Sequence, residues 1–436
     1  MEIPPEKNLL YRMWKKPQFM HYNRLFTLIA LINLGLFINM IVTGAWNNDI
    51  SVLQAISKIV IINLFIGIIV RQQYVINFFF KVATSAPTSW PLSIRRHLGK
   101  VYHFGGIHMG GTVSGTFWFG VLIFTLTRQY LAGAPHISIA LLSISICIVA
   151  LLIGIVIMAL PPIRAKNHDF FELSHRLGGW SSLILFWIFS FSFAANVIGE
   201  GYLEQFFKSL DFWLLTTITV SIILPWLRLR KVPVDVVKPS NHAAIAKFDY
   251  GVTPFAGSST ALSLSPLKEW HSFANIPWPK ADGFRLTISR AGDWTGNFID
   301  KDIKHVWVRG IPTAGVGNID QLFKKVIWVA TGSGIGPCLP HLLANEIPSQ
   351  LIWATRNPEK TYGKALVDEI RAVQPNAIFW NTDAYGKPDM VKLTYKAYKE
   401  FGAEAVICIS NKKLTWNVVK GMESRGIPAY GAIWDS

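Results

Sequence analysis

Six apolar stretches constrain this chain more than anything else in it. They fall near residues 25–44, 51–70, 101–126, 137–160, 177–197 and 210–227, and each is close to the roughly 20 residues a helix needs to cross the hydrocarbon of a bilayer. Lipid leaves backbone groups no partner but the helix itself, so residues 1–230 read as a six-helix transmembrane bundle. Loops carrying Arg71, Lys81, Arg95, Arg96 and Lys100, then Arg164, Lys166 and Arg176, then Arg228, Arg230 and Lys231 alternate with loops holding little beyond Arg128 or Lys208. Basic loops stay on the cytoplasmic side, which predicts a multi-pass chain with both termini in the cytoplasm. Lys7, Arg12, Lys15 and Lys16 precede a full-length span without a small-residue cleavage site, so the N-terminus reads as a cytoplasmic tail. The same placement accounts for a net charge of +16. The excess lies in membrane loops rather than on one polar face, so lipid is the expected partner and nucleic acid is not. Cys147, Cys338 and Cys408 are too few and too scattered for a disulfide framework or a zinc site.

Beyond Lys231 the hydropathy falls and the period changes. Short strands at Pro233–Lys238, His242–Tyr250, Ser259–Leu267, Phe284–Arg290 and His305–Gly310, separated by Pro, Gly, Asn and Asp clusters, predict a small antiparallel β-barrel over residues 231–322. Residues 323–436 alternate strand and helix, which predicts an α/β domain with a parallel sheet. That domain opens with the run Lys325 to Leu343, KVIWVATGSGIGPCLPHLL. An apolar strand breaks at Gly332, Gly334 and Gly336, then passes through Pro337 into a helix. Glycines there let the backbone approach a pyrophosphate, and the helix N-terminus offers unpaired N–H groups.

These residues carry a resemblance. A membrane bundle, a barrel and a dinucleotide-type sheet in that order resemble the ferric reductase and NADPH oxidase superfamily over nearly the whole chain, whose soluble part is ferredoxin-reductase-like. The segment Glu269-Trp270-His271-Ser272-Phe273-Ala274 is similar to the His-Pro-Phe-Thr flavin motif of that superfamily. The resemblance implies FAD, with His271 and Ser272 near its phosphates or ribityl chain and Phe273 against its ring. Ser272 stands where the family has proline, and Ala274 where it has a hydroxyl for flavin N5. Gly292-Asp293-Trp294-Thr295 is similar to the second flavin segment, implying that Gly292, Thr295 and neighbouring N–H groups hold the pyrophosphate. Gly332, Gly334, Gly336 and Pro337 match the nicotinamide-nucleotide turn. Arg356, with Lys360 nearby, stands where relatives use a cation for a ribose 2′-phosphate, which favours NADPH over NADH. Cys408 falls where relatives place a cysteine near the nicotinamide, though the run here is Cys408-Ile409-Ser410, and a structural cysteine fits equally. Trp434 stands where a terminal aromatic covers the flavin in relatives, and a last-strand core residue is the alternative.

The superfamily's transmembrane path uses two histidines on span three and two on span five, about 20 Å apart along each helix. In this chain the inner position on span three falls on Arg95 and the outer on His108; on span five the inner is His175, and the outer falls near Trp187 to Phe189. His108 and His175 are thus expected as unpaired remnants at different depths, which no single iron could reach together. His97 and His103 do not share the register. This departure is similar to the haemless membrane flavoproteins of the fungal TmpA type. It implies a membrane-bound oxidoreductase passing electrons from NAD(P)H through FAD to a small-molecule or protein acceptor on the cytoplasmic side, without haem. A haem-bearing reductase or oxidase with displaced ligands, and a nucleotide-binding sensor without turnover, are the alternatives. A polar cluster at the inner mouth, Arg95, Arg96, His97, His103, His168, Glu172, His175 and Arg176, reads either as a site for an acidic or amphiphilic ligand or as loop charge facing headgroups.

Overall fold

The computed structural model describes residues 2–45, 50–278 and 282–432. Six helices are long and apolar enough to cross a membrane: His21–Val42, Ile50–Ile69, Val101–Leu131 (entered through a 3-10 turn), Ile139–Ala159, His168–Ile198 and Leu210–Leu227. We call them spans one to six, and the end facing the β-rich units proximal. Spans one to three are held by small residues and one polar knot. Added side-chain atoms on Gly106, Gly111 and Gly115 would press on Tyr22, Asn63 and Leu64 of the neighbouring spans, which is how small residues let helices approach closely. Asn33 and Asn63 exchange side-chain amide bonds at 2.9 Å each way, and Trp118 Nε1 donates to Asn33 Oδ1 at 2.9 Å. These buried amides therefore have partners in a setting without water.

Sequence boundaries miss several short helices, among them Gln73–Thr84 and Leu92–Leu98, which follow span two and precede span three. The second carries Arg95, so that residue does not sit on span three at all. Arg95 is buried and makes a two-pronged pair with Glu404, Nη1–Oε2 at 2.7 Å and Nη2–Oε1 at 3.1 Å, while Nη1 also donates to the Leu322 carbonyl at 2.7 Å.

The expected barrel is instead a pair of four-stranded antiparallel sheets. Its strands are β1 Arg230–Pro233, β2 Asp235–Val237, β3 Ala243–Phe248, β4 Ser259–Ser263, β5 His271–Ala274, β6 Ile276–Pro277, β7 Phe284–Ser289 and β8 His305–Thr313. One sheet has the order β1-β8-β4-β5 and the other β2-β3-β7-β6. The chain passes from the first sheet to the second at Val234 and Asn275 and returns between β3 and β4 and between β7 and β8, and among the described residues no ladder joins the two sheets. The predicted strand Pro233–Lys238 therefore divides in two. Inward residues of both sheets, among them Val232, Ala246, Phe248, Leu262, Leu286 and Val308, share one core. Sequence alternation reports which residues face inward; it cannot report which strand edges meet.

The third unit is a five-stranded parallel sheet of β9 Val326–Thr331, β10 Ser349–Thr355, β11 Ile378–Asn381, β12 Ala405–Ile409 and β13 Ala429–Tyr430, in the order β11-β10-β9-β12-β13. The order reverses direction between β9 and β12, the switch point at which open α/β sheets form a crevice. Residues 433–436, including Trp434, lie outside the described residues.

The units are tied to the bundle by buried polar contacts. Lys100 Nζ reaches Glu423 Oε1 at 2.7 Å and the Ala429 carbonyl at 2.8 Å, and Lys15 Nζ reaches Glu423 Oε2 at 3.2 Å. Burial pushes the Glu423 carboxyl up, but the Lys100 and Lys15 ammoniums outweigh it and bring it down to about 2. A carboxyl depressed from 4.5 to about 2 on folding adds stability that is complete above pH ~4.5 and fades as pH falls toward 2. Glu423→Gln strands Lys100 in a buried site and is expected to cost about 3 kcal/mol or more at pH 7. A melting-temperature difference that does not shrink on acidification would count against this assignment.

Candidate active site

Strand β5 and the helix Asp293–Asp300 build an aromatic wall. His271 and Phe273 lie on β5, and both rings meet Trp294 in the first helical turn, at centroid distances of 4.5 and 5.8 Å. Trp294 in turn stacks on Phe298 at 5.5 Å. Trp294 stands between the quoted flavin residues and was missed as part of the site, although it sits inside the Gly292–Thr295 segment. Two ring nitrogens in this wall, His271 Nε2 and Trp294 Nε1, are buried without a hydrogen-bond partner. Such groups are costly unless something polar meets them, and a flavin with its heteroatoms and phosphates fits that need. Burial pushes the His271 imidazole below its ordinary range, so it is neutral near pH 7.

Thr295 shapes the turn ahead of its helix. Its Oγ1 accepts from the N–H groups of Ala291 (2.9 Å) and Gly292 (3.1 Å) and donates to the Gly292 carbonyl at 3.1 Å. Space beside Gly292 is open. Ser272 is exposed on β5 opposite Ala261 of β4.

The glycine turn lies at the switch point. Gly332 follows β9 with φ +48° and open space beside it, a left-handed conformation that glycine adopts without penalty. Gly334 is pressed against the Ile409 carbonyl at the end of β12, where any Cβ would collide. Gly336 and Pro337 begin the helix Ile335–Ala344, and a Cβ on Gly336 would lie 3.3 Å from the Thr287 carbonyl of β7. The helix that a nucleotide phosphate would face is thereby seated on the two-sheet unit. Its far end is pinned by His341, whose Nδ1 is 2.8 Å from the buried Asp320 Oδ2.

Arg356 is exposed just after β10, and Lys360 is exposed one helical turn on. Cys408 is fully buried on β12 among Val329, Val418 and Val419, and burial pushes its thiol up to about 12. The thiol faces the core of the parallel-sheet unit.

The bundle histidines do not lie where the sequence spacing suggested. Span three begins at Val101 and span five at His168, so His108 and His175 are each seven residues from a proximal end. Their rings are 6.3 Å apart, centre to centre, and His108 Nδ1 is 2.7 Å from the Gly67 carbonyl. The expectation of different depths is corrected: it took Arg95 as part of span three and so set His108 too far out. The two imidazoles are neighbours at one level of the bundle, their ring planes 63° apart. His21 also meets His97 (6.3 Å) and His103 (5.9 Å) at the proximal end. The position of the second ligand on span five is filled differently. Phe189 packs on Phe119 at 5.4 Å and on Phe193, and Trp187 Nε1 donates to Thr219 Oγ1 at 2.9 Å.

Three of the eight residues of the polar cluster, Arg95, Glu172 and Arg176, are used in docking. Besides Arg95, Glu172 Oε1 accepts from the Trp270 N–H at 3.1 Å, and Arg176 donates to the carbonyls of Lys268 (2.9 Å) and Leu267. Arg309 lies between the rings of Trp226 (4.5 Å) and Trp270 (4.3 Å), and burial pushes it down to about 10. These contacts fix β5 against spans five and six.

Fold and site together define a class: six membrane-length helices carrying a two-sheet antiparallel unit with an aromatic wall and a parallel sheet with a glycine turn at its switch point. Residues 316–436 match the family model described as the C-terminal domain of adenylate-forming reductase 03009. Adenylate-forming reductase 03009 of Coprinopsis cinerea is 45% identical over 436 residues, covering 99% of this chain and 42% of its own length. Adenylate-forming reductase 06235 of the same fungus is 43% identical over 438 residues, again with 42% of its length covered. The chain thus spans less than half the length of these relatives. Among solved structures, a ferredoxin-NADP+ reductase from Neisseria gonorrhoeae with bound FAD and NADP overlaps 47% of this chain and 98% of its own, at 14% identity and a TM-score of 0.38. A flavohemoglobin from Malassezia yamatoensis with bound FAD and heme overlaps 88% of this chain and 97% of its own, at 12% identity and a TM-score of 0.41.

Proposed function

We propose that this chain is a membrane-bound flavoprotein oxidoreductase that takes electrons from NAD(P)H, preferentially NADPH, through FAD to a small-molecule or protein acceptor on the side where they enter. The observation that carries this is the meeting of two half-sites. The helix behind the glycine turn packs on the same sheet unit that bears the aromatic wall with its two unpartnered ring nitrogens. The names of the relatives, both reductases, agree with it. A flavin bound at the wall supplies hydride acceptance and release of single electrons. Phe273 and Trp294 offer it an apolar face and exclude water, neutral His271 offers a ring nitrogen, and Thr295 holds the turn open toward its phosphates. Gly332 leaves the backbone room for a nucleotide phosphate. Basic residues at the proximal ends favour a cytoplasmic location for both termini and both units, and the reading requires no haem.

Ala274 and the core-facing Cys408 thiol favour a second reading, nucleotide binding without turnover. An absorption spectrum before and after anaerobic NADPH separates them. We expect flavin bleaching; an unchanged flavin band with bound NADPH would leave the second reading.

Arg356 and Lys360 underlie the NADPH preference. One charge-assisted contact to a 2′-phosphate is worth roughly 1.5–3 kcal/mol, so Arg356→Ala should raise KM for NADPH about tenfold or more and leave KM for NADH in place. Equal use of the two nucleotides, unmoved by the substitution, would remove the assignment.

A further inference from the structure

The helix Gln73–Thr84 is apolar on two opposite sides. Ile76, Phe80 and Ala83 are buried against the units below. On that side its amides also grip the end of β8: Gln73 Nε2 donates to the Ile311 carbonyl at 2.9 Å while Gln73 Oε1 accepts from the Ile311 N–H at 3.0 Å, and Asn77 Nδ2 donates to the Pro312 carbonyl at 3.0 Å while its Oδ1 accepts from the Ala314 N–H at 2.8 Å. Tyr74, Phe78 and Val82, four residues apart, form the opposite stripe and are 45%, 61% and 56% exposed. A polar solvent does not call for such a stripe on a helix already docked through its other face.

We infer that this stripe lies in the headgroup layer of the proximal leaflet, with acidic lipid as its partner, and makes the helix a bracket between the membrane surface and the flavin unit. Three observations identify lipid as the occupant. First, the helix starts four residues after the end of span two, and Arg228, one residue past span six, donates to Tyr74 Oη at 2.6 Å. The stripe therefore begins at the level where two spans leave the bundle. Second, Lys81 is exposed beside Phe78, and the Arg228 guanidinium lies by the Tyr74 ring at 5.7 Å. Cations around an apolar stripe complement anionic headgroups. Third, exposed apolar side chains recur in the segment that follows the helix, at Trp90 and Ile94, 47% and 45% exposed, with the tryptophan typical of an interfacial belt. The bracket fixes β8, and through it β4 and β5, at a set height beneath the bundle.

The inference rests on the six apolar helices being membrane spans, and the test separates the two. In a Cys147→Ser background the remaining cysteines, Cys338 and Cys408, are fully buried. An environment-sensitive fluorophore is placed on Phe78→Cys or, as a second site, Val82→Cys, with Ile184→Cys in mid-span and Lys396→Cys on the nucleotide unit as references. The protein is reconstituted in phosphatidylcholine–phosphatidylglycerol vesicles, with bromine on the acyl chains of one lipid or the other. We expect Phe78 and Val82 probes to be quenched by brominated lipid, more strongly when phosphatidylglycerol carries the bromine, and to be shielded from aqueous iodide. Quenching by iodide as at Lys396 overturns the inference. So does protection from both quenchers, which means that protein covers the stripe. Equal quenching by either brominated lipid overturns the acidic-lipid part. Ile184 quenched by lipid while Phe78 is not leaves the span reading intact and the bracket rejected.

Discussion

Replacing Phe273 and Thr295 together by alanine is expected to give protein that purifies without flavin. Phe273 stacks with Trp294, and its loss removes one panel of the aromatic wall while leaving Trp294 on Phe298. Thr295 Oγ1 makes three hydrogen bonds that set the turn from Ala291 to Thr295, and alanine releases all of them. An aromatic contact at roughly 1 kcal/mol and three turn hydrogen bonds at about 1 kcal/mol each sum to around 4 kcal/mol, about a thousandfold in flavin affinity. Flavin absorbance per mole of folded protein is the measurement, with a melting curve to show that the fold survives. Thr295→Ser keeps the hydroxyl and should retain flavin. A double variant as yellow as the parent would falsify the assignment of β5 and the Asp293–Asp300 helix as a flavin wall.

The second large effect concerns what the bundle cannot do. In sealed vesicles with NADPH supplied on the side of the nucleotide unit, an impermeant acceptor on the opposite side is expected to remain oxidised. Among the described residues the imidazoles of the spans, His21, His103, His108, His168 and His175, all lie near proximal ends. From His108 to Leu131 span three runs for roughly 35 Å at 1.5 Å per residue. Between spans three and five the distal half carries Phe119, Phe186, Phe189 and Phe193, whose rings interlock at 5.2 to 5.4 Å along the chain Phe186–Phe119–Phe189–Phe193. A second haem would need both a ligand pair and the room those rings occupy. The imidazole pairs His108–His175 and His21–His97, each with ring centres 6.3 Å apart, both lie at the proximal side, so neither reaches across the bundle. A haem content of two per chain, lost in His108→Ala or His175→Ala, would restore the transmembrane path. Reduction of the impermeant acceptor with no haem present would require another route through the bundle.

Much of this protein follows from local sequence. Six uninterrupted apolar runs can satisfy their backbone only as helices, so their number and approximate limits are legible without any contact known. The strand, glycine turn and helix from Val326 to Ala344 are likewise local: β9 is a short buried run, Gly332 requires a left-handed backbone, and Pro337 suits an early helical position. Strand–helix alternation made the parallel sheet legible too.

Only the tertiary structure decided what depends on partners distant in the chain. Whether eight short strands close as a barrel rests on which edges pair, and here the chain turns into a second sheet at Val234 and Asn275. Arg95 is indistinguishable in sequence from a basic residue at the mouth of a span. Its partner Glu404 is 309 residues away, and only that pair shows it to be an interdomain tie. The level of His108 in the bundle depends on where span three begins, which is set by the separate helix Leu92–Leu98 and the packing of Tyr102 and Phe104 on the parallel-sheet unit rather than by the spacing of histidines along the chain. Periodicity reports which side of an element is apolar. What covers that side, and at what height, is decided by contacts that no local pattern encodes.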